Sequence, residues 1–263
     1  MLLHLGQYIS AINNWGNMTK ELFIGKTNNT AKKPSKILVG NSSNIAKEVK
    51  SIFVGNSSNQ AVKVFPSFPD MYQRCEYIYN TNGTEYIDSG VRPNSDTRVE
   101  IVFTRASTER LRLFGSFNST GKQYMANIQN TTYPTSIYCG FGNEGNRTSN
   151  IEVNSKHTLL FNGSGGNFYL DGDFQFTSTK TFTALTYTMC IFGISNETGG
   201  VDLSSTGIYM YHFVVKQNNT VIRDMYPCYL KSDTQVVGMY DIANGVYYGN
   251  YGTGIFYKGP DVN

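Results

Sequence analysis

Charge is scarce in this chain. Asp, Glu, Lys and Arg make up 16% of its 263 residues, and the formal net charge is +3. The charge is uneven: residues 21–66 hold seven Lys against two Glu. Those lysines are spread along the stretch, with no basic helix and no basic–aromatic alternation, so nucleic acid is not the expected partner. Lysines on strand edges instead discourage unwanted pairing. Cysteine occurs four times, at Cys75, Cys139, Cys190 and Cys228, never as C-x-x-C. That excludes the usual zinc and thioredoxin spacings. Whether any of them pair is left open, although Cys139 and Cys190 sit in apolar runs where a free thiol acts as a small hydrophobe. The N-terminus lacks a basic lead-in and a small-residue cleavage site, and no apolar run reaches membrane-spanning length. Synthesis in a cytoplasm without Sec-type export, and no membrane insertion, is the expectation.

What is present is aromatic and polar-uncharged. Phe, Trp and Tyr reach 14%, with 19 Tyr, which suits a folded β-rich protein. An exact 15-residue repeat occupies residues 22–66: Leu22-Phe23-Ile24-Gly25, Ile37-Leu38-Val39-Gly40 and Ile52-Phe53-Val54-Gly55 start its three units. Asn29, Asn44 and Asn59 coincide, as do Ala31, Ala46 and Ala61. Each unit reads as a β-hairpin. Side chains alternate along a strand, so apolar residues fall on both faces. Isolated hairpins are marginal in water, and these require a cover. Either they dock on the domain that follows, or other copies of the chain cover them. The second is the expectation: a homotrimeric stalk assembled through Phe23, Ile24, Leu38, Val39, Phe53 and Val54.

Around the repeat, residues 1–20 read as an anchor segment, with Leu2, Leu5, Ile9 and Ile12 at helical spacing. Phe65-Pro66-Ser67-Phe68-Pro69 marks a junction, and residues 67–74 read as a linker. Residues 75–263 are a succession of short β runs broken by Gly, Asn and Ser. Strands are expected at 98–104, 123–129, 136–141, 157–161, 189–193 and 208–215, and an Asp171-Gly172 turn closes a hairpin. Many short strands over such a length predict an antiparallel sandwich or jelly roll.

Two groups of residues carry a family resemblance. Tyr86-Ile87-Asp88-Ser89-Gly90, Lys156-His157-Thr158-Leu159 and Phe168-Tyr169-Leu170-Asp171-Gly172 occur in an order that resembles the concanavalin A-like, laminin-G-like sandwich. The C-terminal run is more specific. Val221-Ile222-Arg223-Asp224-Met225-Tyr226-Pro227, Val237-Gly238-Met239-Tyr240-Asp241, Asn244-Gly245, Tyr247-Tyr248 and Gly252-Thr253-Gly254-Ile255-Phe256 resemble the ending of sandwich domains in bacteriophage tail and head fibre proteins. The resemblance implies an all-β chain in which a β-hairpin repeat stalk precedes a concanavalin A-like jelly-roll β-sandwich. It also implies a virion protein, attached to other virion proteins through its N-terminus. Family membership does not fix the ligand.

Catalysis is not expected. Glycoside hydrolysis needs two carboxyl groups flanking the bond, about 5–5.5 Å apart for retention, and no E-x-D-x-x-E is present. Glu85 and Asp88 have odd spacing, and Asp171 and Asp173 bracket a turn glycine. His4, His157 and His212 form no metal or triad motif. No cofactor is expected, and calcium stays open because no dense acidic loop appears. Binding is the better case. Alternation turns Tyr124, Ala126, Ile128, Ile137, Cys139 and Phe141 inward, leaving Arg110, Arg112, Gln123, Asn127 and Tyr138 on a shared polar face able to bind a host cell-surface glycan. The expected function is thus a phage fibre displaying a lectin-like domain. A capsid head fibre or decoration protein, and a polysaccharide depolymerase, are the alternatives.

Overall fold

Alternating β-branched and aromatic residues dominate the strands. The structure, a computed structural model, describes residues 38–40, 46–48, 52–55, 61–65 and 68–262, apart from 130–132, 181 and 183. The chain divides into two units, Met1–Pro69 and Asp70–Asn263. In the first unit β1 (Leu38–Gly40) pairs antiparallel with β2 (Ala46–Glu48), and β3 (Ile52–Gly55) with β4 (Ala61–Phe65). Val39 faces Lys47 in the first ribbon, and Val54 faces Val62 in the second. Leu38, Val39, Phe53 and Val54 therefore lie on strands. Phe23, Ile24 and the anchor segment 1–20 fall outside the described residues.

The described residues of the second unit are strands and their connections, with one short 3-10 helix at Ser164–Gly166. Its first strands are β5 (Tyr72–Arg74), β6 (Ile78–Tyr79), β7 (Ile87–Asp88), β8 (Arg98–Arg105), β9 (Leu111–Phe117) and β10 (Gln123–Ile128). Then come β11 (Ser136–Gly142), β12 (Glu144–Asn150), β13 (Lys156–Phe161), β14 (Asn167–Leu170), β15 (Asp173–Thr177) and β16 (Cys190–Ile191). The last are β17 (Gly193–Asn196), β18 (Val201–Leu203), β19 (Ile208–Gln217), β20 (Thr220–Leu230), β21 (Asp233–Asp241), β22 (Val246–Tyr248) and β23 (Tyr257–Lys258). One sheet runs β12-β11-β10-β9-β16-β7, with β17 also on β9 and β18 on β17. The larger runs β15-β14-β13-β8-β19-β20-β21-β22, with β5 added on β20, β6 on β19 and β23 on β6. Residues 67–74, expected as a linker, are thus part strand: Tyr72–Arg74 pair with Cys228–Leu230.

The two sheets pack face to face through aromatic rings. Phe114 and Tyr124 of the smaller sheet meet Phe161 and Phe213 of the larger, with Phe114–Phe161 at 5.4 Å, Phe114–Phe213 at 5.8 Å and Tyr124–Phe161 at 4.7 Å. Each of these rings is fully buried and contributes about 1.5–3 kcal/mol of burial free energy. The result is a two-sheet β-sandwich, as the short-strand pattern predicts. The inward set Tyr124, Ala126, Ile128, Ile137, Cys139 and Phe141 is buried, and all four cysteines are buried and free.

One local feature departs from the expected regularity. The strand expected at 189–193 breaks at Phe192, whose φ is +63°. Its N–H bonds Leu113 and its carbonyl accepts from Ser204, so the chain reverses there, and β17 runs parallel to β9. That conformation costs a bulky residue about 1–3 kcal/mol; full burial of the ring, 4.9 Å from Phe256, offsets it. The Asp171-Gly172 turn is as expected, with φ of +55° and +88°.

Candidate functional site

The outward face of β9 to β12 gathers the residues that alternation turned outward. Register places Arg112 opposite Asn127, Asn127 opposite Tyr138 and Tyr138 opposite Arg147. Four polar side chains on four strands thus form one transverse row. A bulge makes this possible: pairing skips Leu113 between Arg112 and Phe114, so Leu111, Leu113 and Phe114 all enter the core while Arg112 stays outward.

The next row carries almost no side chain. Met125 lies between Gly115 and Gly140, and Gly140 faces Gly145. These glycines leave space that larger neighbours occupy. A Cβ on Gly145 would land on the Tyr138 ring, and one on Gly140 would sit 2.6 Å from the Gln123 carboxamide carbon. Tyr138 and Gln123 therefore lie down across the sheet. The Gln123 amide donates to the Tyr138 hydroxyl at 2.8 Å and to the Glu144 carbonyl at 3.1 Å.

Two guanidiniums close one end of the row. Arg110, immediately before β9, donates to Asp202 Oδ1 at 2.8 Å, and Arg112 donates to Asp202 Oδ2. The Arg112 side chain is only 11% exposed; burial pulls its pKa down, with Asp202 opposing that shift and Arg110 adding to it. At the other end Arg147 donates to Gln129 Oε1 at 2.6 Å. Its guanidinium carbon lies 3.9 Å from the Tyr133 ring centre and 5.3 Å from that of Tyr138.

Three buried polar atoms in this row have no hydrogen-bond partner: Arg112 Nε, Asn127 Oδ1 and Arg147 Nη1. Asn127, expected to be solvated, is 2% exposed, flanked on both sides by long side chains; its amide reaches only the Met125 sulfur, at 3.3 Å. Each unpaired buried group costs about 1–3 kcal/mol. Such groups in a native fold ask for a partner.

All five sequence-predicted residues thus lie on or beside one face: Arg112, Asn127 and Tyr138 in the row, Gln123 folded towards it, Arg110 at its rim. Arg147, Gln129, Tyr133 and Asp202 were not in that set. Arg147 was hidden because β12 (Glu-Gly-Asn-Arg-Thr-Ser-Asn) buries only Thr148 and reads as a loop. Asp202 comes from a distant three-residue strand.

Other features of the domain are structural. His157 bonds Asp171 at 2.7 Å, and Asp171 also accepts the Thr158 N–H at 2.7 Å, fixing the hairpin turn. Glu85, fully buried, accepts from the N–H groups of Thr81, Asn82 and Thr84 and from the Thr81 hydroxyl. A cavity of about 120 Å³ beside Phe141, Phe168 and Phe176 has room for only about four waters. Among the described residues no group of three or more His, Cys, Asp or Glu could hold a metal, and no helix is long and apolar enough to cross a membrane.

No family model matches the chain, and no curated protein matches it by sequence. Solved structures do match. A Bacteroides ovatus protein, provisionally named as carbohydrate binding, aligns with a TM-score of 0.50 at 12% identity. The alignment covers 73% of this chain and 62% of that one. Caenorhabditis elegans galectin LEC-6 aligns at a TM-score of 0.33 and 12% identity, over 54% of this chain and 96% of its own. The Bacillus subtilis carbohydrate-binding module CBM66 gives 0.31 and 14%, with the same coverages. At these identities the first likeness establishes the sandwich fold and nothing finer.

Proposed function

We propose that the second unit is a lectin-like, concanavalin A-like domain that binds a glycan on the outward face of β9 to β12. The carrying observation is the row Arg112, Asn127, Tyr138 and Arg147, which sets guanidiniums and an amide beside aromatic surface and holds two donors and an acceptor that are buried without partners. Sugars need that combination: hydroxyls read by amides and guanidiniums, and apolar ring faces set against aromatic ones. The domain acts as a binder without catalysis. The sandwich likeness to a protein provisionally named as carbohydrate binding is consistent with this.

At the level of the whole chain, we propose a phage virion fibre protein that assembles as a homotrimer and displays this domain for adhesion to a host surface. The C-terminal motif and the 15-residue repeat support that reading. Trimers suit adhesion because weak single-site affinities multiply when several heads engage together. The binding test is a glycan array probed with the intact chain and with Arg112→Ala and Tyr138→Ala variants. Loss of signal in both, with thermal unfolding retained, supports the site; unchanged binding removes it. Sedimentation at micromolar concentration tests the assembly: a trimer is expected, and a monomer overturns the stalk.

A further inference from the structure

We infer that the ligand of the β9–β12 face carries a carboxylate, so that its preferred partner is an acidic sugar such as a uronic acid rather than a neutral one. The inference rests on the glycan-binding reading and narrows it.

Three guanidiniums, of Arg110, Arg112 and Arg147, stand on this face, and Asp202 is engaged by two of them. Glu144, at the start of β12, is paired with Lys180 at 2.8 Å. Arg147 has no carboxylate partner among the described residues; it meets the neutral Gln129 and two tyrosine rings. A guanidinium held in place by neutral groups keeps its positive charge uncompensated by any carboxylate among the described residues, and its Nη1 is buried without a hydrogen-bond partner. The planar fork of Arg matches a carboxylate with two parallel hydrogen bonds.

The row also mixes donors with an acceptor. Arg112 Nε and Arg147 Nη1 can only donate, whereas Asn127 Oδ1, between them in the row, can only accept. All three atoms are closed to solvent in this structure, so a ligand reaches them only as the side chains lying over them move aside; one that then satisfies all three offers acceptor oxygens and also a hydroxyl hydrogen. An ionised carboxylate alone lacks the hydrogen, and a neutral sugar lacks the charge. A sugar acid carries both on one ring. Arg112 and Arg147 are three strand spacings apart, about 14 Å between backbones, and both are long side chains. Tyr133, 48% exposed, supplies an aromatic surface beside Arg147 for the apolar face of the same ring.

The test is a binding series on matched polysaccharides, each presented as the native uronic-acid polymer and after chemical reduction of its carboxyl groups to hydroxymethyls. The expected result is binding at least tenfold tighter to the carboxylated form, weakening as salt is raised, with Arg147→Gln erasing the difference between the two forms. Equal affinity for both forms, or an undiminished preference in Arg147→Gln, overturns the inference and leaves the glycan reading standing. If neither form binds, and no neutral glycan on the array binds either, the glycan reading itself falls. Should Arg147→Gln fail to fold, the salt dependence and carboxyl reduction on the unmodified chain decide the matter alone.

Discussion

Gly145→Ala separates the placement of Tyr138 from the stability of the sandwich. Gly145 lies on β12 opposite Gly140, and its φ is not positive, so the backbone accepts alanine. Constraining the unfolded chain in this way stabilises by about 0.4–1 kcal/mol. Against that, the new Cβ meets the hydroxyl end of the Tyr138 ring, and the ring must swing off the sheet. The displaced ring loses the 2.8 Å hydrogen bond from Gln123, about 0.5–1.5 kcal/mol, and its contact with the Arg147 guanidinium, about 0.5–1 kcal/mol. The balance is a net loss of about 1 kcal/mol, which lowers Tm by about 2–4 °C for a domain of this size. Calorimetry measures that, and titration with a glycan identified on the array measures binding. The expected outcome is a small Tm change with at least tenfold weaker binding. Wild-type affinity at the expected Tm would refute the placement of Tyr138 in the site. A far larger Tm loss would show that the outward face is a structural element of the sandwich.

Three further outcomes follow from the same geometry. Asp241 is fully buried and accepts the N–H groups of Asp224 and Ala243 and the Asn244 amide. Asp241→Ala strands those donors beside Arg223 and is expected to cost about 3–5 kcal/mol in denaturant titration, whereas a loss under about 1 kcal/mol would contradict this accounting. Burial lifts the Cys75 and Cys190 thiols from 9.0 to about 12, and Tyr124 is raised well above its ordinary value for the same reason. The unfolded chain releases these protons first, so stability is full below pH ~9 and falls between pH ~9 and ~12; a flat stability profile there would contradict the burial. Phe161→Ala removes a ring packed on Phe114, Tyr124 and Phe168 and is expected to cost about 3–5 kcal/mol by thermal unfolding, with a cost under about 1 kcal/mol refuting its central place in the core.

Much of the sandwich is legible in the sequence because period-two alternation is a local signal. The inward sets of β10 and β11, and the Asp171-Gly172 turn, needed nothing else. The break at Phe192 was not legible, since a buried phenylalanine at positive φ is held there by tertiary contacts. The two motif groups that carried the resemblance lock onto one another. Asn250 Oδ1 accepts the Tyr86 N–H at 3.1 Å and the Gly252 N–H at 2.8 Å, while Gly252 and Gly254 press against Thr84, Asn82 and Glu85 too closely for any Cβ. Asp241 and Asn244 hold the β21–β22 turn in the same way. Those residues specify the fold, which explains why they say nothing about the ligand. The site was half legible. Residues on strands with a buried face, such as Arg112 and Tyr138, were found from their apolar neighbours. Arg147 on a polar edge strand had no such neighbours to betray it, and Asp202 joins through long-range pairing that no local pattern records.

The opposite sheet supplies a built-in alternative, because its outward face carries Tyr77, Tyr79, Tyr209 and Tyr211 packed ring on ring at 4.6–5.4 Å. Backbone amide chemical-shift mapping of the chain, titrated with a glycan identified on the array, distinguishes the two faces directly. Binding on the outward face of β9 to β12 predicts shifts concentrated at 110–112, 123–129, 136–140, 144–149 and Asp202. Shifts confined to Tyr77, Tyr79, Tyr209 and their neighbours would contradict it.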